Sequence, residues 1–111
     1  MVRLFGSARQ TKVLVLIGML ETTHPLELAR LSGASKTAVE SFVDRLEEDG
    51  ILVSMRQGRN RRVSISPRYK YREPLIQLLK QIGTTSPEIM DALSSLRRRP
   101  RRKGKPLWPA T

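Results

Sequence analysis

The sequence predicts a mainly α domain with one small β-hairpin, in the order α-α-α-β-β followed by two more helices. Three observations carry this. Apolar residues recur every three or four positions over residues 8–20 and 36–49. After Gly50 the spacing changes to alternation, over 51–57 and again over 61–66. Two further apolar stripes at helical spacing then follow Pro74 and Pro87.

The first helix is expected from Ala8 to Leu20. Ser7 and Gln10 stand at capping-box spacing, and Val13, Leu16, Ile17 and Leu20 share one face. Leu14, Val15 and Met19 widen that face, so the helix should be buried on several sides or shared with a second subunit. A second, short helix opens at Pro25, with Thr23 or His24 as its cap. Ser32-Gly33-Ala34 makes a tight turn in which Gly33 is free to adopt a positive φ. Ser35 caps the third helix, where Val39, Val43 and Leu46 are at core spacing, and Gly50 stops it.

Gly58-Arg59-Asn60 is expected to connect the two strands, with Val63 and Ile65 inward and Arg62, Ser64 and Ser66 outward. Pro67 ends the second strand. Leu75, Leu78, Leu79 and Ile82 form the stripe of a fourth helix, Gly83-Thr84-Thr85 interrupts it, and Ser86-Pro87-Glu88 opens a fifth carrying Ile89, Leu93 and Leu96. Residues 1–83 thus form the main domain with its following helix, 84–98 a C-terminal helix, and 99–111 a basic flexible tail. In that tail only Leu107 and Trp108 can bury apolar surface, as an anchor on a partner or on the chain's own domain.

The 111 residues carry 21 Lys and Arg against 10 Asp and Glu, a net charge of +11. The surplus sits in two blocks: residues 56–72 hold seven basic and no acidic side chains, and so do residues 97–111. Such a balance points to a nucleic-acid partner. There is no cysteine and only one histidine, so thiolate chemistry, disulfides and a His-rich metal site are excluded and no cofactor or metal is expected. No nucleophile-base pair or phosphate-binding glycine loop is visible either, which argues against an enzyme. The longest apolar stretch, Val13 to Leu20, is far short of a membrane span. The first seven residues lack the arrangement of a signal peptide, so a cytoplasmic location with no membrane partner is expected.

Helix, short helix, glycine turn, helix and hairpin is the order of a winged helix-turn-helix. Its third helix suits the major groove, and its hairpin, or wing, reaches phosphates or an adjacent groove. The exposed residues at the start of the third helix, Ser35, Lys36, Thr37, Glu40 and Ser41, are the candidate base readers. The competing reading makes Glu40 and Asp44 solvated and pairs Lys36 with Glu40 at i, i+4. Arg56, Arg59, Asn60, Arg61 and Arg62 are the candidate wing contacts, extended by Arg68, Lys70 and Arg72. Arg97, Arg98, Arg99, Arg101, Arg102 and Lys103 are candidate tail contacts to nucleic acid, with an acidic protein partner as the alternative.

Leu28-Ala29, Gly33, Ser35 and Val39 stand at helix-turn-helix spacing, and the run from Val43 to Leu52 resembles the end of the recognition helix and the first wing strand of MarR-type regulators. Leu4-Phe5-Gly6-Ser7 resembles the opening of small ArsR-like winged-helix proteins, although the chain has no cysteines for a metal-sensing site. The resemblance covers roughly residues 4–66. It departs at Asn60, where the MarR-type wing carries an acid, and at Ser32, where an apolar residue is common. It implies a DNA-binding transcriptional regulator, more often a repressor, acting on double-stranded DNA. The apolar stripes of the fourth and fifth helices, with the first as a further candidate, exceed what one small domain needs and place the expected homodimer interface there. The alternatives are a nonspecific DNA- or RNA-binding, chromosome-associated protein, or a winged helix used only for protein interaction.

Overall fold

The computed structural model describes residues 4–98, with side chains through residue 96. The elements are α1 (Ala8–Leu20), α2 (Pro25–Ser32), α3 (Lys36–Glu48), β1 (Leu52–Gln57), β2 (Asn60–Ile65), α4 (Arg72–Thr84) and α5 (Pro87–Arg98). This is the mainly α, five-helix and single-hairpin architecture of a winged helix.

α1 is the centre of the core. Ser7 Oγ accepts from the Gln10 N–H at 3.0 Å, and Gln10 Oε1 accepts in return from the Ser7 N–H at 3.5 Å. Buried Thr11 ties down the preceding chain, donating to Ser7 O and accepting from the Phe5 N–H, both at 3.0 Å. Every residue from Val13 to Gly18 is buried, because α2 and α3, β2 and α4 all pack on this one helix. The wide apolar face is therefore used within the chain.

Two glycines let α1 and α4 approach closely. A Cβ on Gly18 would lie 2.7 Å from Leu79 Cβ, and one on Gly83 would lie 2.5 Å from Met19 Sδ. Leu79 and Ile89 are both fully buried in the same core cluster as α1. These two members of the expected dimer stripe are thus core residues of the monomer. Leu78 and Met90 are the large apolar side chains that α4 and α5 leave exposed.

His24 is the cap of α2, its Nδ1 accepting from the Glu27 N–H at 3.3 Å. Gly33 takes φ 82° at the end of α2. Ser32 can occupy its buried position because its Oγ accepts from the Ala34 N–H at 3.1 Å, which satisfies its polar atom locally. The β-sheet has one feature that alternation could not reveal: Thr23 pairs with Val63 through two backbone hydrogen bonds of 3.0 and 2.8 Å, adding a short third rung beside β2. The hairpin register pairs Gln57 with Asn60, leaving a two-residue turn of Gly58-Arg59. Asn60 is thus a strand residue and not part of the connection, and φ of 63° at Gly58 suits a turn with glycine first.

Candidate nucleic-acid interface

α3 and the wing form one surface. Ser35 Oγ accepts from the Ala38 N–H at 3.1 Å, so this candidate base reader has its acceptor engaged in capping the helix. Thr37 and Ser41, one turn apart, are exposed on the outward face. Glu40 is half-buried on the wing-side flank and pairs with Lys36 at 3.6 Å. The helical pair expected under the competing reading is therefore present, leaving Lys36, Thr37 and Ser41 as the outward polar group. Glu48 continues that outward stripe and is exposed.

The wing arginines divide into two kinds. Arg56, Arg59 and Arg62 are exposed and have no carboxylate partner among the described residues, and Asn60 is exposed beside them. Arg61 differs because it shares strand parity with the buried Val63 and Ile65 and so points toward α3. Only 21% of its side chain is exposed; Nη2 lies 2.6 Å from Asp44 Oδ1 and 3.3 Å from Glu47 Oε2. Its Nε donates to Ser54 Oγ at 3.0 Å, and Ser54 Oγ in turn donates to Glu47. Burial opposes the guanidinium charge, but the hydrogen bonds and attraction of Asp44 and Glu47 outweigh it and hold Arg61 more basic than an ordinary arginine. Arg61 is thus a brace between β2 and α3, and Asp44 is its partner.

Sequence reasoning passed over Ser54, Glu47 and Arg45. Ser54 is paired with Val63 across the hairpin and shares the inward face with Arg61, while Glu47 lies three residues after Asp44 on the same flank of α3. Parity and i, i+3 spacing were the available signals. Arg45, exposed on the other flank, sits 5.8 Å above the Phe42 ring.

Beyond the wing, Arg68 and Lys70 are exposed, but Arg72 pairs with Glu73 at 2.8 Å. Tyr69 and Tyr71 meet edge to face with centroids 5.8 Å apart. A cavity of about 400 Å³ lies between α1, β2 and α4, lined in part by Glu21, Arg72, Glu73 and Lys80. Among the tail candidates, Arg97 and Arg98 end α5 without described side chains, and Arg99, Arg101, Arg102 and Lys103 lie outside the described residues. Among the described residues no cluster of three metal-ligating side chains occurs, and no helix is long and apolar enough to cross a membrane.

A helix-turn-helix with a cationic hairpin locked to its second helix defines a winged-helix domain. The chain belongs to the MarR family, whose model matches residues 7–64, and so to a family of DNA-binding transcriptional regulators rather than enzymes. The match begins at residue 7, so Leu4-Phe5-Gly6 of the ArsR-like resemblance lies ahead of it. A mutant MarR from E. coli is similar in structure, with a TM-score of 0.56 and 19% identity over 85% of this chain and 76% of that one. The same mutant complexed with operator DNA matches with a TM-score of 0.55 and 19% identity, over 85% and 74% of the two chains. A transcriptional regulator from Thermotoga maritima gives 0.51 and 25% identity, over 81% and 72%. No curated protein matches the sequence.

Proposed function

We propose that this protein is a sequence-specific repressor that binds double-stranded DNA as a homodimer. The N-terminal half of α3 enters the major groove and reads bases through Lys36, Thr37 and Ser41, with Glu40 tuning Lys36 from the flank. Arg56, Arg59, Asn60 and Arg62 meet the sugar-phosphate backbone. The observation that carries this reading is the contrast among the arginines. Three are left without carboxylate partners on a hairpin that the fourth, Arg61, fixes against α3. A fixed wing delivers its charges at one distance and angle from the reading helix, which is what register on a duplex requires. The similarity to a MarR solved with operator DNA supports the same partner. Met90 on α5 is the exposed apolar residue we assign to the homodimer contact.

Footprinting the tagged protein across its genome tests this directly. A small set of sharp, palindromic sites is expected, with half-sites about one helical turn apart. Lys36→Ala and Thr37→Ala should then change which bases are preferred, at about 1–3 kcal/mol per lost base contact. Diffuse coverage would instead establish the nonspecific, chromosome-associated alternative, and no enrichment at all would leave protein interaction as the role of the fold.

A further inference from the structure

The outer flank of α4 carries a groove of about 370 Å³ lined by Leu78, Gln81, Ile82, Thr84 and Thr85. Leu78 and Ile82 make its apolar floor, and Leu78 is 40% exposed. The rim has a distinct chemistry. Thr84 Oγ1 donates to Lys80 O and Thr85 Oγ1 donates to Gln81 O, both at 2.9 Å. Both hydroxyl protons are therefore used within the helix, and the oxygens facing a visitor are acceptors. An apolar floor with two acceptor hydroxyls on its rim, beside the Gln81 amide, suits a flat apolar group with a single N–H donor. The larger cavity between α1, β2 and α4, lined by Glu21, Arg72, Glu73 and Lys80, has the opposite character.

We propose that Trp108, with Leu107, docks intramolecularly in this α4 groove. Trp108 is the only tryptophan of the chain, and its indole is the apolar group with one N–H donor that the groove fits. Residues 99–106 between α5 and this pair consist of Arg, Lys, Pro and Gly alone, so no large apolar side chain lies nearer along the chain. The geometry allows the return. α5 starts two residues beyond Thr85 and carries the chain about 18 Å away by Arg98, at 1.5 Å per residue. The ten residues from Arg98 to Trp108 reach about 33 Å when extended. The returning segment would bring its five cations, Arg99, Arg101, Arg102, Lys103 and Lys105, past the N-terminal half of α5, where Asp91 is exposed without an ion-pair partner among the described residues. A second copy would need about 800 Å² per partner, far more than the two side chains of this floor, and we assign that contact to the wider α5 face around Met90 instead. A tethered indole needs far less, since a short linker holds it at an effective concentration of about millimolar.

Intrinsic fluorescence of the full chain tests this, because one residue supplies the tryptophan signal. The emission should be blue-shifted against the urea-unfolded chain, and quenching by acrylamide should be several-fold slower than for a free tryptophan derivative. Leu78→Lys, at an exposed position, should return both values to those of an exposed indole with the helical circular dichroism unchanged, while Leu26→Lys, at an exposed apolar position on α2, should leave them as they are. An exposed Trp108 in the unmodified chain would overturn the proposal, as would protection that survives Leu78→Lys. Protection lost on dilution would overturn it too, by showing that the indole sits on another copy. Should Leu78→Lys unfold the domain, Gln81→Glu gives the second reading: a carboxylate on the rim should strengthen indole capture, and an unchanged quenching rate would count against the site.

Discussion

Arg61 and its three neighbours in the wing should respond to substitution in opposite ways, and the structure sets both magnitudes. Arg56, Arg59 and Arg62 are exposed and have no carboxylate partner among the described residues, so replacing all three with Ala should leave folding almost unchanged. Each phosphate contact contributes about 0.9 to the slope of log affinity against log salt. The triple variant should therefore flatten that slope by up to about 2.7 on any duplex, because phosphate contact is independent of sequence. Arg61→Ala removes hydrogen bonds to Asp44 and Ser54 and a contact to Glu47. Hydrogen bonds to charged groups are worth roughly 1.5–3 kcal/mol, and Asp44, 63% exposed, must be discounted for solvent screening. A loss of about 1–2 kcal/mol in urea unfolding is expected, together with faster amide exchange in β1 and β2 and little change in salt slope. The reasoning is refuted if Arg61→Ala leaves stability intact and flattens the slope by about 0.9. That result would make Arg61 a phosphate contact and the pairing with α3 incidental.

Other positions test the packing and the assembly. Gly18→Ala gains about 1 kcal/mol of helix propensity, but its Cβ would sit 2.7 Å from the root of the Leu79 side chain, so overpacking of about 1–3 kcal/mol should win and lower the urea midpoint. Glu21 is the one non-glycine residue among those described with positive φ, at 70°, and its exposed ion pair with Lys80 is weak. Glu21→Gly should therefore raise stability by about 0.5–1 kcal/mol; a fall would show that the Lys80 contact outweighs the backbone strain. Sedimentation of the unmodified chain should give a dimer, and Met90→Asp should give a folded monomer, with an unchanged sedimentation coefficient placing the interface elsewhere.

Most of the fold was legible because each element has a local cause. The Ser7–Gln10 capping box, the Gly33 turn, the Ser35 cap and the change of period after Gly50 all act within a few residues, and all appear at the expected positions. What was not legible depends on contacts between distant residues. The pairing of Thr23 with Val63 spans 40 positions and leaves no periodic trace. The burial of Leu79 depends on Gly18 and Gly83 letting α4 close onto α1, and Ile89 is buried on α5, which packs on α4 and α2, so a stripe that looks spare in isolation is used within the monomer.

The site shows the same division, with one instructive exception. Counting positive charge grouped Arg56, Arg59, Arg61 and Arg62 together, although the alternation that set Val63 and Ile65 inward also set Arg61 inward. An arginine on the inward face of a wing strand must find carboxylates or bear the cost of burial, and α3 supplies them to Arg61. Asp44 and Glu47, three residues apart, are the acids of α3 on the flank that meets Arg61. Their presence on the helix we propose for the major groove then has a physical reason: they neutralise the wing's inward charge and leave Arg56, Arg59 and Arg62 exposed for the proposed phosphate contacts. The same logic accounts for Asn60. With Asp44 and Glu47 already holding Arg61, an acid at the exposed wing position 60 would add a negative charge beside Arg59 and Arg62 without anchoring anything. Asn60→Asp should accordingly weaken binding to operator and random duplex alike while leaving the unfolding midpoint unchanged. A gain in stability together with loss of the Arg61–Asp44 contact would mean that the brace can be supplied from the wing itself.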